Sequence, residues 1–342
     1  MKKSALSTFA TDATVMVAVV AAAAYTLHRY TSVKSDLRDA ISALNNTAFA
    51  DQEGLVFNRV PKVGSEMIWS LIDRLAVRNG FNSFSDSKEV KDRRGAENTY
   101  LTTRAQRKEY ADILLQNCTK PYSYVKHINF IDFTEFNMTQ PIYINFVRDP
   151  VSRVISWYYY IRAPWRIISQ DVRNNVTITR LHKRIPSVED LKVSFEQCYI
   201  ERRPECVYET GNSLYSSPYG GSHYSQISFY CGHEPECDKF GSEAALYMAK
   251  RNVERYFAVV GILELLDKSL EVLEHYVPRF FEGARDTHAS MSHLRSRNKN
   301  IYQPKTPEWI KKELRANFTS EIEFFHFCRQ RLHKQHLALT NS

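Results

Sequence analysis

The sequence predicts an α/β fold in which helices flank a central parallel sheet. Short apolar runs alternate along the chain with longer segments whose apolar residues recur every three or four positions. Two of the strand-like runs lead through a basic residue directly into a helix. This order is typical of parallel sheets that bind ligands at the carboxyl ends of their strands.

The first predicted unit is the strand Leu55–Asn58, a turn that contains Lys62, and the helix Gly64–Arg78. Its apolar stripe at three- and four-residue spacing comprises Ile68, Leu71, Ile72 and Leu75. A helix that begins in such a turn presents backbone N–H groups and the positive end of its dipole, so we expect an anion site. The turn is not a Walker loop, because Val63 stands where that pattern needs a hydroxyl. An ordinary strand–turn–helix with a surface lysine fits this segment alone equally well.

The second predicted unit repeats this order. The apolar strand Ile142–Val147 ends at Arg148, and Asp149 and Pro150 are suited to the N-cap and first position of the next helix. Ser156 lies two turns into that helix, where its hydroxyl and the Arg148 guanidinium can converge on one anion. Two such units in one chain strengthen the prediction of an anion-binding site.

The remaining elements follow from the same periodicities. The predicted helices are Arg104–Asn117, Pro150–Arg162, Ser187–Cys198, Ser242–Glu254, Leu263–Tyr276 and Pro307–Leu332, and the further strands are Tyr122–His127 and Phe257–Ile262.

Three segments carry a resemblance to a known family, namely Asn58–Lys62, Tyr143–Arg153 and Phe229–His233. They resemble the uronyl and heparan sulfate 2-O-sulfotransferases of the Golgi, and most of all the uronyl 2-sulfotransferase and Pipe branch. The resemblance runs in order from about Val56 to about Arg329. It implies a P-loop-like sulfotransferase fold and transfer of a sulfuryl group from 3′-phosphoadenosine 5′-phosphosulfate (PAPS) to a sugar hydroxyl, expected at the 2-O position of a uronic acid.

The resemblance also assigns roles to residues. Lys62 contacts the phosphosulfate, the next three residues surround the 5′-phosphate, and Arg148 and Ser156 hold the 3′-phosphate. The implied donor-binding residues are therefore Lys62, Val63, Gly64, Ser65, Arg148 and Ser156. Ser292 and Arg295 resemble a loop that closes over the donor, although a solvated basic loop fits that stretch equally well.

His127 aligns with the family's catalytic histidine, and histidine is suited to general-base catalysis near neutral pH. Some relatives carry another histidine two positions earlier, where this chain has Val125. We expect Lys62 to stabilise charge on the leaving phosphate oxygen. No metal is expected, because Cys231 and Cys237 lack a second pair at ligand spacing.

One departure from the family pattern concerns activity. Glu66 and Met67 follow Ser65, where the family usually has small, hydroxyl-bearing or basic residues. A carboxylate there repels a phosphosulfate unless it turns outward or pairs with an arginine. A weak or inactive protein that keeps the fold and binds sulfated glycans is therefore the alternative. A kinase-like phosphoryl transferase is disfavoured, since neither a Walker loop nor an acid pair for magnesium is evident.

The amino terminus predicts a membrane anchor. We expect a cytosolic tail at 1–12, a transmembrane signal anchor at 13–30, a stem at 31–53 and a lumenal sulfotransferase domain at 54–342. The protein is then a single-pass type II protein of the Golgi membrane. The alternative is a cleaved signal peptide, for which Ala21–Ala24 offers small residues.

Sequons and cysteines agree with the secretory pathway. Asn-x-Ser/Thr sequons predict glycosylation at Asn45, Asn117, Asn137, Asn175 and Asn317. The family spacing implies two disulfides, Cys198 with Cys206 and Cys231 with Cys237, which leaves Cys118 and Cys328 as thiols.

The expected partner is a sulfated or sulfatable glycan. The net charge is +8, and six basic residues stand among few acids in one stretch, namely Arg162, Arg166, Arg173, Arg180, Lys183 and Arg184. A solvated basic surface is the alternative interpretation of that stretch. Arg59 is a candidate for the acceptor's carboxylate. Nucleic acid is not expected in the secretory pathway, and the family resemblance implies a homotrimer.

Overall fold

The structure is a computed structural model that describes residues 3–85, 100–163, 187–215, 224–291 and 302–340. The chain divides into two compact units, Met1–Asn45 and Asn46–Ser342. The first unit is a single helix, α1, at Lys3–Ser42. Among the described residues, no helix combines the length and the apolar character that a membrane crossing requires. The anchor at 13–30 stays a prediction.

The second unit is built on a parallel sheet. Its strands are β1 Asp51–Asn58, β2 Asn82–Ser85, β3 Tyr122–Lys126, β4 Pro141–Val147 and β5 Phe257–Ile262. They lie in the order β2-β3-β1-β4-β5 and every pair is parallel. The predicted α/β class with a central parallel sheet is therefore confirmed. The strand β1 begins at Asp51, within the residues predicted as the stem.

Helices surround this sheet. In the first half of the unit they are α2 Ser65–Asn79, α3 Arg104–Asn117, α4 Pro150–Ile161, α5 Val188–Lys192, α6 Phe195–Ile200 and α7 Ile227–Cys231. In the second half they are α8 Glu243–Tyr256, α9 Leu266–Tyr276, α10 Pro278–Phe281, α11 Ala284–Ser290, α12 Glu308–Asn317 and α13 Thr319–Thr340. Short 3₁₀ turns occupy Thr47–Phe49, Phe133–Phe136, Pro204–Cys206, Pro235–Asp238 and Leu263–Leu265.

Two long predicted helices are wrong because each is divided. Ser187–Cys198 forms α5 and α6, and the Ser194 hydroxyl caps α6 by accepting the Gln197 N–H. Pro307–Leu332 forms α12 and α13, with the break at Phe318. The Phe318 ring is 1% exposed and packs against Tyr208 and Phe240. Burying this ring takes precedence over continuing one straight helix.

The core has two parts. The strands β4 and β5 are buried throughout and β1 is buried from Gly54 on, and α8, α9 and α13 pack against β5. A second apolar cluster joins α4, α6 and α12 around the buried residues Val154, Tyr158, Phe195, Leu314 and Phe318. The helix α4 therefore has a fixed position, with its first turn at the end of β4.

Candidate functional site

Three predicted site residues lie at the carboxyl edge of the sheet. The strands β3, β1 and β4 are parallel neighbours, so their carboxyl ends meet at one edge. His127 directly follows β3, Arg148 directly follows β4, and Lys62 lies four residues after β1. The structure thus brings together three side chains that are far apart in sequence.

The turn between β1 and α2 is strongly bent. Lys62 has φ +66° and Gly64 has φ +82°, and the Gly64 carbonyl accepts the N–H groups of Met67 and Ile68. A Cβ atom on Gly64 would stand 2.7 Å from Leu263 Cδ1, so only glycine fits here. Val63 and Ser65 are buried, so Val63 can meet a ligand here through its backbone only. The first N–H groups of α2 have no carbonyl partner within the helix and suit an anion.

Lys62 and Arg148 are linked at this edge. Arg148 Nη1 donates to the Lys62 carbonyl over 3.2 Å, and Lys62 Nζ stands 4.1 Å from the centroid of the Tyr160 ring. Ser156 lies one turn before Tyr160 on α4, so both side chains project from the same face of that helix. The two predicted anion sites therefore adjoin each other.

Arg148 is held by several neighbours. Both atoms of the Gln226 side-chain amide bond its backbone: Oε1 accepts the Arg148 N–H and Nε2 donates to the Arg148 carbonyl, each over 2.9 Å. Asp149 caps α4 by accepting the Ser152 N–H, and it pairs with Arg315. Burial lowers the pKa of Arg148, while the carboxylates of Glu264 and Asp149 raise it. A guanidinium stays protonated under these conditions, so Arg148 is a cation at this edge.

His127 has a defined tautomer. Its Nδ1 lies 2.7 Å from the Arg59 carbonyl oxygen, and a carbonyl only accepts, so Nδ1 carries the proton. Burial and the Arg59 guanidinium lower the pKa of His127 to about 3, while the hydrogen bond to the Arg59 carbonyl raises it. The ring is therefore neutral near pH 7, and its Nε2 lone pair can accept a proton.

Glu66 pairs with an arginine. Its carboxylate lies 2.8 Å from Arg59 Nη1, with side-chain exposures of 54% for Glu66 and 12% for Arg59. The Arg59 guanidinium also stacks over the Trp69 ring, 4.7 Å from its centroid. The sequence left open whether the Glu66 carboxylate is paired. The Arg59 guanidinium partly neutralises its charge.

Three buried amides that support this edge were not predicted. Asn58, Asn145 and Gln226 are each 0% exposed. Asn145 Nδ2 donates to the Asn58 carbonyl over 2.6 Å, and Asn58 Nδ2 donates to the Phe229 carbonyl over 2.8 Å. A buried amide must form hydrogen bonds, so an asparagine inside an apolar strand, such as Asn145, could have predicted these contacts. No comparable signal marks Gln226.

The contacts of the segment Phe229–His233 stabilise the fold. It runs from α7 into the disulfide Cys231–Cys237, whose Cα atoms are 5.6 Å apart. His233 is 5% exposed, and its Nδ1 accepts the Leu101 N–H. The second disulfide that the resemblance implies, Cys198–Cys206, is also formed, and Cys118 and Cys328 are buried thiols.

Several predicted residues lie outside the described residues, namely Ser292, Arg295, Asn175, Arg166, Arg173, Arg180, Lys183 and Arg184. Arg162 is described and pairs with Glu205. Asn45, Asn137 and Asn317 are exposed, and Asn117 is the last residue of α3. Across the described parts of the chain, no three or more His, Cys, Asp or Glu side chains are grouped to hold a metal. Glycosylation and metal independence stay predictions.

Comparison with known proteins defines the family. The chain matches the sulfotransferase family over residues 45–328. It is 37% identical over 301 residues to the uronyl 2-sulfotransferase homolog pip of Drosophila melanogaster and 30% identical over 317 residues to uronyl 2-sulfotransferase of Mus musculus. Each alignment covers 87% of this chain, with 56% of the fly protein and 69% of the mouse protein.

Heparan sulfate 2-O-sulfotransferase 1 of Mus musculus is a further relative. It is 30% identical over 244 residues, which are 70% of this chain and 60% of that protein. Because the family match spans most of the chain, this protein belongs to the sulfotransferase family. The resemblance read from the sequence is thereby confirmed.

Proposed function

We propose that this protein transfers a sulfuryl group from PAPS to a hydroxyl of a glycan, at the 2-O position of a uronic acid. The observation that carries the proposal is the meeting of Lys62, Arg148 and His127 at one edge of the sheet, with Arg148 bonded to the Lys62 carbonyl. Two cations and a neutral imidazole are the groups that transfer between a polyanionic donor and an alcohol needs. Membership of the sulfotransferase family supports the same chemistry.

The residues present fit a donor with two phosphate ends. The backbone of Val63–Ser65 and the Lys62 ammonium suit the 5′ end, and the turn that presents this backbone forms because Gly64 accepts φ +82° and packs without a Cβ against Leu263. Arg148 and Ser156 suit the 3′-phosphate, and Ser292 and Arg295 are further proposed contacts. PAPS supplies the activated sulfuryl group when it is bound.

The protein's own groups then have distinct roles. His127 Nε2 takes the proton from the acceptor hydroxyl, while Nδ1 stays bonded to the Arg59 carbonyl and keeps the ring oriented. The Lys62 ammonium supplies positive charge where negative charge develops on the leaving oxygen. Arg59 is the proposed contact for the acceptor's carboxylate.

The acceptor class and the location are also proposals. The relatives are named for uronyl and heparan sulfate 2-O-sulfation, which favours a glycosaminoglycan or a related glycan as acceptor. Two disulfides fit an oxidising compartment. We therefore infer a type II protein of the Golgi membrane with a lumenal catalytic domain, assembled as a homotrimer as the family resemblance implies.

Sulfate transfer by the full chain tests this function. The protein is incubated with PAPS that carries radioactive sulfur and with a panel of desulfated heparan, dermatan and chondroitin sulfates. Wild type should label at least one of them, and His127→Ala and Lys62→Ala should lower that rate by about 10²-fold or more. The exposed-site variants His326→Ala and Lys268→Ala are matched controls that should retain it. Transfer that survives both site substitutions would reject the assignment.

A second candidate function is a protein that binds donor and sulfated glycans without turnover, and Glu66 is the observation that favours it. Its carboxylate lies in the first turn of α2, next to the proposed donor site. Binding of 3′-phosphoadenosine 5′-phosphate with no transfer to any acceptor would support this alternative. Restored transfer in Glu66→Ser would then identify the carboxylate as the cause.

A further inference from the structure

Arg59 connects the anion-binding turn to the imidazole. Its guanidinium is enclosed by the Glu66 carboxylate at 2.8 Å and by the face of Trp69 at 4.7 Å, both of which belong to α2. Its side chain is only 12% exposed, so these two contacts fix most of its conformation. The residue is therefore clamped by the helix that begins the proposed donor site.

The backbone of Arg59 is bonded to β3 and to the residue that follows it. The Arg59 N–H donates to the Lys126 carbonyl over 2.9 Å, and His127 Nδ1–H donates to the Arg59 carbonyl over 2.7 Å. These reciprocal bonds join the end of β1 to the end of β3. A change in the backbone torsions of Arg59 would consequently change the orientation of the imidazole.

The charges around His127 come from few groups. The Arg59 guanidinium disfavours a proton on the ring. Lys126, its neighbour on β3, turns its ammonium to the Tyr110 ring at 4.9 Å, and Lys62 turns to the Tyr160 ring. Glu66 is the carboxylate paired with Arg59, so it offsets a guanidinium whose charge lowers the pKa of His127.

We propose that Glu66 is a positioning residue for the base: it fixes Arg59, whose carbonyl orients His127, and it offsets the guanidinium charge beside the imidazole. This inference rests on the proposed function, in which His127 accepts the proton. In this proposal Glu66 is not a defect. Its carboxylate is paired with Arg59, so it supports the base more than it repels the donor. Without it, the base is both less well oriented and weaker.

The first test is the tautomer of His127, which needs neither donor nor turnover. The full chain is labelled with ¹⁵N-histidine, the His127 resonances are assigned by their loss in His127→Ala, and the ring nitrogen shifts are measured at pH 7.5. Wild type should show the neutral Nδ1–H form. In Glu66→Gln we expect the Nε2–H form to appear alongside it, whereas Asp73→Asn should be unchanged. Asp73 is a matched control because it is an exposed carboxylate on the same helix, about 10 Å further along its axis.

The second test is the dependence of kcat on pH. With Glu66→Gln we expect the plateau of kcat to fall about tenfold, a small part of what general-base catalysis provides. The acid limb should move to lower pH, since the unopposed guanidinium weakens the base. Glu66→Asp, which keeps the charge, should recover part of the loss. A residue that only stabilises the fold would lower the amount of active enzyme most at low pH, where the fold is less stable, so its loss would move the acid limb to higher pH instead.

A double-mutant cycle then tests whether Glu66 acts on His127 through Arg59. If Glu66 acts through Arg59, Glu66→Gln should have little further effect on either readout in an Arg59→Leu background. The proposal is overturned if Glu66→Gln keeps the wild-type tautomer and acid limb, or if it accelerates transfer. Should wild type transfer no sulfuryl group to any acceptor, the proposed function fails, and the tautomer measurement still decides the role of Glu66.

Discussion

Three cations at the carboxyl edge of the sheet are each held by a neighbouring group. Lys62 lies over Tyr160, Arg148 donates to the Lys62 carbonyl, and Arg59 pairs with Glu66. Groups held in this way need little reorganisation when negative charge develops beside them, which is the main source of electrostatic catalysis. At the scale of single residues, the site is thus organised by contacts rather than by charge alone.

The stability of the protein should depend on the protonation of His127. Its pKa is lowered to about 3 in the folded state from 6.5, so between these values only the unfolded state binds the proton. The contribution of His127 to the free energy of unfolding is therefore present above pH 6.5 and is lost as the pH falls below this value. From pH 7.5 to 5.5 this site should cost about 1 kcal/mol of unfolding free energy.

Urea unfolding of wild type and His127→Gln at both pH values measures this effect. The variant should lose about 1 kcal/mol less than wild type over that interval. It still loses stability, because burial and Arg107 also lower the pKa of His233 to about 3. His326→Gln, which changes an exposed histidine, is the control. Equal losses in wild type and His127→Gln would show that folding does not disfavour the protonated imidazole.

At the scale of secondary-structure elements, the sequence predicted the strands that carry the site better than the helices around it. Phe257–Ile262 and Arg104–Asn117 have the predicted bounds: the first is a continuous apolar run, and the second begins at a Thr103 capping box. The strand β2 was missed because Asn82–Ser85 is short and mostly polar. The phenylalanine that divides α12 from α13 is buried against distant residues, and such contacts leave no periodic signal.

The candidate site could likewise be predicted only in part. Lys62, Arg148 and His127 follow strands directly, so their convergence could be predicted from the parallel sheet alone. The Gln226 contact with Arg148 spans 78 positions, and the buried Glu321 accepts the Gln226 N–H from 95 positions away. The pairing of Arg59 with Glu66 was foreseen as one of two ways to avoid repulsion, although the sequence did not choose the partner.

The turn between β1 and α2 should tolerate no side chain at Gly64. Gly64→Ala places a Cβ 2.7 Å from Leu263 Cδ1 at φ +82°. Gly80→Ala is a matched control, since Gly80 has φ +65° and nothing within 4 Å of its would-be Cβ. The control should lose about 1–2 kcal/mol for its left-handed backbone.

Gly64→Ala should lose more stability than this control, together with affinity for 3′-phosphoadenosine 5′-phosphate. Urea unfolding and calorimetric titration measure the two quantities. Equal losses and unchanged affinity in both variants would mean that the turn does not form the donor site. A double variant with Leu263→Ala should recover stability in part, because the backbone strain remains.

The helix α7 should act on the proposed donor site through Gln226. Gln226→Leu leaves the N–H and carbonyl of Arg148 without their buried partners, which costs about 1–3 kcal/mol for each unsatisfied group. We expect lower stability and about tenfold weaker binding of 3′-phosphoadenosine 5′-phosphate, as Arg148 loses its fixed position. Gln197→Leu, which removes an exposed amide from α6, should change neither. Unchanged affinity in Gln226→Leu would argue against a contact between Arg148 and the donor.

At the scale of the whole molecule, the strand order explains why the site lies where it does. The chain places β2 and β3 on one side of β1, and β4 and β5 on the other. In open parallel sheets, the crevice at such a reversal is the usual ligand site. The segments that follow β1, β3 and β4 all start at that edge of the sheet, so the proposed donor could contact several of them at once.

The oxidation state of the cysteines is a property of the whole molecule that connects fold and compartment. The chain has six cysteines, of which four form two disulfides and two, Cys118 and Cys328, are buried thiols. Burial raises the pKa of the Cys118 thiol to about 12, and it raises that of Cys328 further, so both are thiols rather than reactive thiolates at neutral pH.

A thiol reagent should therefore find almost no reactive cysteine in the native protein made through the secretory pathway. In denaturant it should find two before reduction and six after it. Protein made in a reducing cytosol should give six in denaturant without added reductant, and it should be less stable by about 2–5 kcal/mol for each missing disulfide. Two thiols from both sources would show that the bridges form without an oxidising compartment, and the cysteines would then no longer support a secretory location.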